Sequence, residues 1–437
     1  MEFLLAYWQN QDTTQQNQPP AQPLFLELDG IYLQNVLFYK DDRMKGNLLS
    51  VRIPTGEIAV EEINLAENFF RIEAAHFDFP KVVHDLFPPH WAPQVINTSD
   101  PGPVLTTPAT PAVDSSQKLL RVEMGAFHLR DGAFDFNNYR QAPERLTRPE
   151  VMDFTRIKTE AIQIDLVDFV FYDDVFTTEL EHLSLYETSG FVLDDLKAKE
   201  AIISNRRTIL NDMRLITPYS ELGDTLVFKY REYNDYNDFP NKVIMTGRFN
   251  QARVALKDIM VFAPALERND FFVQNREELV EIDGLLMGKV SNLRGRDVQL
   301  RLGKNTYFKG NFDSRNLNVR NEEAMNLRID RLITDVQTLR LLVPRFNPPA
   351  NFDKLGQLNF SGRFDGFFVD FVAYGELLSD LGQARMDMRM DLRNGKTGAR
   401  YAGGLSLENF DLGVWSGNPD LGMVTFKSEV KDGVGLT

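Results

Sequence analysis

Gly395-Lys396-Thr397 ends as a phosphate-binding loop ends, with a lysine and a hydroxyl that could reach phosphate and magnesium. That chemistry needs a glycine five positions earlier, and the position holds Met390. It also needs a helix to follow, whereas Arg400-Tyr401-Ala402 reads as strand, so the tripeptide reads as a hairpin turn. His84, Asp85 and His90 are the one local cluster of metal-ligand types among five histidines. Pro88-Pro89 lies between the two histidines and no His-Glu-x-x-His pattern is present, so the cluster reads as a surface loop. Asp41-Asp42 and Asp173-Asp174 could work as acid–base pairs. Each follows an aromatic at a strand end, where aspartate commonly builds turns.

Neither a nucleophile elbow nor a dinucleotide-binding glycine loop occurs. With no cysteine in the chain, disulfides, thiolate catalysis and cysteine-held metals are excluded. No catalytic residue, metal or cofactor is assigned. The net charge of −15 argues against nucleic acid as a partner, because phosphate neutralisation needs clustered Lys and Arg. It also makes an anionic membrane surface unattractive. No stretch reaches the roughly 20 apolar residues of a membrane helix. Met1–Trp8 is too short and lacks the basic flank of a signal peptide; it reads as the end of an amphipathic helix. Val434–Thr437 stops inside a strand pattern, and the chain is expected to be a piece of a longer protein.

Any function must therefore come from what the backbone presents. Ala384, Met386, Met388, Met390 and Leu392 alternate with Arg385, Asp387, Arg389 and Asp391. A strand sends successive side chains to opposite faces, so one face is apolar and the other charged. Leu300 and Leu302 alternate likewise with Gln299 and Arg301. Two phrases recur. Leu33-x-Asn35-x-x-Phe38, Leu129-x-Asp131-x-x-Phe134 and Leu166-x-Asp168-x-x-Phe171 share one pattern; Gly247, Gly310 and Gly362 each sit between apolar residues in the other. Strand–turn units repeated at irregular spacing predict an all-β fold: an elongated rolled sheet, a groove or β-taco, with a few short helices. The 33 phenylalanines against 13 tyrosines suit a dry interior.

Helices are predicted over 1–10, 81–87 and 334–343, the last capped by Thr334-Asp335 and ended by Pro344, with a short one at Arg148–Met152. The chain divides into a helix end and linker (1–23), a first groove segment (24–91), a Pro/Thr/Ser-rich insert (92–117), a second segment (118–280) and a third (281–437). The insert offers almost no apolar burial and is expected to be dispensable for folding, even when replaced by a short linker.

Periodicity alone favours a closed sandwich core over an open groove. A resemblance points the other way. Leu355-Gly356-Gln357-Leu358-Asn359-Phe360-Ser361-Gly362-Arg363-Phe364-Asp365-Gly366-Phe367, then Asp370–Leu377, the methionine strand, and Tyr401-Ala402-Gly403-Gly404 leading to Asn409–Gly413 resemble the TamB family of the AsmA-like envelope proteins in its Bacteroidetes-type form. Leu129–Phe134 is similar to the family's recurring unit. The resemblance implies a protein anchored in the inner membrane and spanning the periplasm, its anchor outside this chain. It implies a translocation and assembly module whose apolar trough supports phospholipid transport and outer-membrane protein assembly. The implied partners are phospholipid acyl chains and an outer-membrane assembly protein of the Omp85 type. The expected lipid-groove residues are Leu300, Leu302, Phe360, Phe364, Met386, Met388 and Met390, each on the uncharged phase of an alternating run. The alternative is a structural or adhesive β-protein with closed cores; an enzyme is the weakest reading.

Overall fold

The computed structural model describes residues 28–88, 118–141, 152–262, 270–316, 319, 322–342, 348–395 and 397–435. The features expected at 1–23, 92–117 and 148–151, together with His90, lie outside the described residues. Four strands open the chain: β1 (Gly30–Asp42), β2 (Asn47–Asn64), β3 (Phe69–Asp78) and β4 (Lys81–Leu86). Then come β5 (Arg121–Asn138), β6 (Arg156–Tyr172), β7 (Val175–Glu187), β8 (Val192–Leu193), β9 (Asp195–Ser204), β10 (Arg207–Ile216) and β11 (Glu221–Lys229). The rest are β12 (Ile244–Ala255), β13 (Leu279–Lys289), β14 (Asn292–Leu302), β15 (Thr306–Arg315), β16 (Ala324–Asp335), β17 (Gln357–Phe367), β18 (Asp370–Ser379), β19 (Gly382–Asp391), β20 (Arg400–Asp411) and β21 (Met423–Val434).

All of them belong to one elongated sheet. From β9 onward each strand pairs antiparallel with its sequence neighbours. Among the described residues no second sheet closes over it, so the sandwich favoured by periodicity is not what forms. The strands instead form an all-β rolled groove with a few short helices.

The Leu-x-Asn/Asp-x-x-Phe phrase explains how the sheet bends. Asn35, Asp131 and Asp168 have φ of 52°, 50° and 51°, a left-handed conformation that Asn and Asp tolerate best after glycine. Each makes a bulge. Residues five apart would normally face opposite sides; the bulge flips the alternation and returns the leucine and the phenylalanine to one face. The same device recurs at Asp212, Gln251 and Asn409, each with positive φ at a register shift. There the closing aromatic is replaced by Leu215, Val254 or Leu412. Relaxing the last position of the phrase to any apolar residue would have found Asp212 and Asn409; Gln251 departs at the first and middle positions as well.

The glycines of the second phrase sit where a side chain has no room. A Cβ on Gly310 would run into the Arg328 carbonyl, and one on Gly362 into that of Tyr374. Gly247 lies under the Phe249 ring, 2.7 Å from where its Cβ would be. Phe77 and Phe360 lie over Gly56 and Gly375 in the same way. These phenylalanines cover the gaps that the glycines leave on the sheet's own surface.

One expectation fails. Residues 81–86 form strand β4, not a helix. Val82 and Val83 are β-branched, and the segment is paired on both sides, to β2 and to β5. β3 and β4 form one rail, bent at Phe79-Pro80, and β5 runs parallel to both, Phe69 facing Arg121 and Leu86 facing Asn138. The end of β4 and the start of β5 therefore lie at opposite ends of the rail, as any parallel pairing requires.

The connections gather helices on one rim. They are α1 (Phe239–Lys242), α2 (Leu256–Phe262), α3 (Asp270–Gln274), α4 (Val336–Leu342) and α5 (Leu412–Ser416). All but α1 lie on the rim that carries the β10–β11 and β18–β19 turns. α4 begins as expected: the Asp335 carboxylate accepts the Thr338 N–H at 2.7 Å. Val336 joins Leu355, Leu358, Leu381, Leu407 and Phe410 in a buried cluster, with Trp415 packed against it. α2 reaches furthest. The Met152 N–H donates to the Val261 carbonyl at 3.2 Å, and Phe191 meets Phe262 edge-on at 4.8 Å. Residues that precede β6 thus touch a helix that follows β12, as only a rolled sheet allows.

Candidate functional site

The seven expected groove residues share one face. Register links Leu300 of β14 to Phe308, Leu332 and Phe360 in succession, and Phe360 to Leu377 and Ala384. Ala384 leads along β19 to Met386, Met388 and Met390; Phe364 lies four residues from Phe360 and Leu302 two from Leu300. A parallel row runs Leu210, Leu226, Gly247, Leu286, Gly295 and Phe312. It continues through Leu327, Phe364, Ala373, Met388, Gly403 and Val430.

All seven side chains are half-buried, whereas Arg385, Asp387 and Arg389 on the other face are exposed. The Phe360 row abuts the helical rim, where Leu377 and Ala384 pack on the buried cluster. Phe364, Met388 and Met390 lie toward the opposite rim.

The other face is polar and internally paired. Arg385 meets Glu376 at 2.6 Å, and Glu221, Arg253, Glu281 and Arg301 form one cross-strand row, bonded at 3.0 Å between the first two and between the last two. A concavity of about 680 Å³ is lined by Arg214, Asn250, Gln251, Asp283 and that row. A smaller one, about 230 Å³, is lined by Asn359, Ser361, Glu376, Arg385 and Glu408 among others. Both of these concavities are lined mostly by polar side chains.

Sequence reasoning missed one constellation on the polar face. His76, His128, Asp165 and His182 stand in a single cross-strand row over β3, β5, β6 and β7. His128 bonds Asp165 at 2.6 Å, His182 bonds Asp195 at 2.6 Å and His76 bonds Asp78 at 2.9 Å. Separations in sequence carry no trace of this row, because His76 joins it only through the parallel register of β3 and β5 and the rest through the antiparallel registers of β5–β6 and β6–β7. Among the described residues no group of three or more His, Asp or Glu is arranged to hold a metal ion. His84 bonds Asn47 at 2.9 Å, with burial lowering its pKa.

Burial pushes the Asp165 carboxyl upward, but its hydrogen bonds from Arg130, at 2.6 Å, and from His128 prevail, and it sits below the ordinary carboxylate value. A depressed carboxylate contributes stability above its unfolded pKa, near 4, and loses it as pH falls through the folded value. Arg130→Met is expected to cost about 1–2 kcal/mol at pH 7. The gap to the parent chain should narrow at acid pH, measured by urea midpoints at neutral pH and below pH 4. A gap that stays constant would assign the loss to packing.

The remaining motifs hold no reactive geometry. Asp173 and Asp174 have φ of 51° and 58° and make the tight β6–β7 turn. Gly395, at φ 72°, lies in the β19–β20 turn. No helix among the described residues is long and apolar enough to cross a membrane. The chain matches no family model, no curated protein and no solved structure.

Proposed function

We propose that this chain is a non-enzymatic module of the Gram-negative envelope, of the TamB kind. In this reading its apolar groove carries phospholipid acyl chains between membranes and supports outer-membrane protein assembly with an Omp85-type partner. The full-length protein would be held in the inner membrane and lie in the periplasm. The observation that carries the reading is the unbroken apolar row from Leu210 on β10 to Val430 on β21, uncovered by a second sheet. An acyl chain of about 15 carbons loses on the order of 10 kcal/mol on entering water. A continuous apolar floor removes that barrier and calls for no nucleophile, base or cofactor.

The test is lipid mass spectrometry of the chain purified without detergent, with Met388→Asp compared to Arg389→Asp. Phospholipid should co-purify with the parent chain and with Arg389→Asp. Met388→Asp places an unpaired carboxylate on the floor at a cost of about 1–3 kcal/mol, so bound lipid should fall roughly fivefold or more. Both variants must first be shown folded by circular dichroism. If Met388→Asp unfolds and no lipid co-purifies with the parent, the lipid-groove reading falls and a structural role takes its place. If it folds and keeps its lipid, the path does not pass this strand.

A further inference from the structure

The strand ends Lys229 and Ile244 are register partners, so a turn of two residues could join them. The neighbouring hairpins on that rim are joined so, at Ser204–Arg207 and Lys289–Asn292. Here the chain instead spends residues 230–243, forming a 3₁₀ turn over Tyr233–Asp238 followed by α1. A connection of this length with its own structure and adjacent ends is a compact loop of the kind that covers functional sites.

It folds back over the apolar face. Phe228 shares its face with Leu226, and Phe239 stands edge-on to the Phe228 ring at 5.5 Å. Tyr236 packs on Tyr230 at 4.9 Å. Among the described residues it is the one helical element on the rim opposite α2, α4 and α5.

Its fastening is uneven. The base is firm: Tyr230 is 6 % exposed and donates its hydroxyl to the Ser204 carbonyl at 2.7 Å, and Val243 is fully buried. The body is braced from within: Asp235 accepts the Arg231 N–H at 2.8 Å and lies 3.8 Å from Lys242. Among the described residues the far side is held mainly by rings on rings, with the Tyr236 hydroxyl donating a long bond to Thr208 at 3.4 Å, while Tyr233 is 52 % exposed. A braced body on a firm base with a weak latch opens as a unit.

We propose that the loop 230–243 is a hinged cover that admits apolar ligands to the groove between β10 and β13. This rests on the groove reading above. The test uses the full chain and palmitate tagged with an environment-sensitive fluorophore, followed by stopped flow. The latch variant Tyr236→Ala/Phe239→Ala, and a chain with residues 231–242 replaced by Asn-Gly, should each associate about tenfold faster than the parent at unchanged capacity. Equal rates would overturn the cover. Hydrogen exchange on the ligand-free parent keeps the two readings apart. Amides of 231–242 should exchange together and well ahead of β11 and β12. Exchange no faster than those strands overturns the cover by itself. Early joint exchange with no binding by any protein would leave a mobile loop without a groove to serve, and the proposal falls with the groove.

Discussion

Replacing residues 92–117 with a four-residue linker is expected to tear β5 from the β3–β4 rail and detach the first four strands. Leu86 and Arg121 lie at opposite ends of that rail, about 55 Å apart at 3.3 Å per residue. With the insert removed, 87–91 and 118–120 reach about 30 Å, and four more residues bring the limit to roughly 45 Å. The penalty is loss of the whole parallel pairing, not a few tenths of a kcal/mol. Limited proteolysis should cut within β1–β4 of the shortened chain and spare β6–β21. A Gly/Ser segment of the original length should keep the pairing, because the requirement is reach and not composition. A short-linked chain as protease-resistant as the parent would mean that β3 and β5 are not parallel.

Gly403→Ala is expected to destabilise by about 3–5 kcal/mol, strain and overpacking acting together. Gly403 has φ of 136°, and a Cβ there would enter the Asp387 carbonyl of the neighbouring strand. Its chain neighbour supplies the control. At Gly404 the nearest atom to an added Cβ is the Ser428 carbonyl at 3.9 Å, so Gly404→Ala should change stability by no more than about 1 kcal/mol, in either direction. Denaturant midpoints of the two variants, one position apart, separate steric demand from mere loss of glycine. Equal effects would show that the neighbouring backbone yields.

What could be read from the sequence was whatever is encoded within one strand. The β19 methionines alternate with charges over nine residues, so their faces needed no partner to be assigned. α4 was legible because Asp335 caps it and a strand pattern stops before it. Residues 81–86 were misread because a run of six bounded by prolines has too few residues to distinguish a period of 2 from one of 3.6. The parallel return of β5, the histidine row and the contact of Met152 with α2 were illegible for a common reason. Each depends on which strands lie side by side, and backbone hydrogen bonds that set this order are blind to residue type. The lipid role of Leu300, Leu302, Phe360, Phe364, Met386, Met388 and Met390 came from resemblance and remains the proposal to be tested.

Beyond β9 every strand pairs its backbone only with the strand before it and the strand after it. Such a sheet has no centre, and no residue is a keystone for the whole. Its span is set by counting: each added hairpin lengthens the floor by two strand spacings, about 10 Å, without repacking anything already built. Insertions and losses of whole hairpins should therefore be tolerated where single-residue changes at the bulges are not. Evolution can fit a protein of this design to a gap of any width by copying pairs of strands, much as a bridge is extended by adding identical spans.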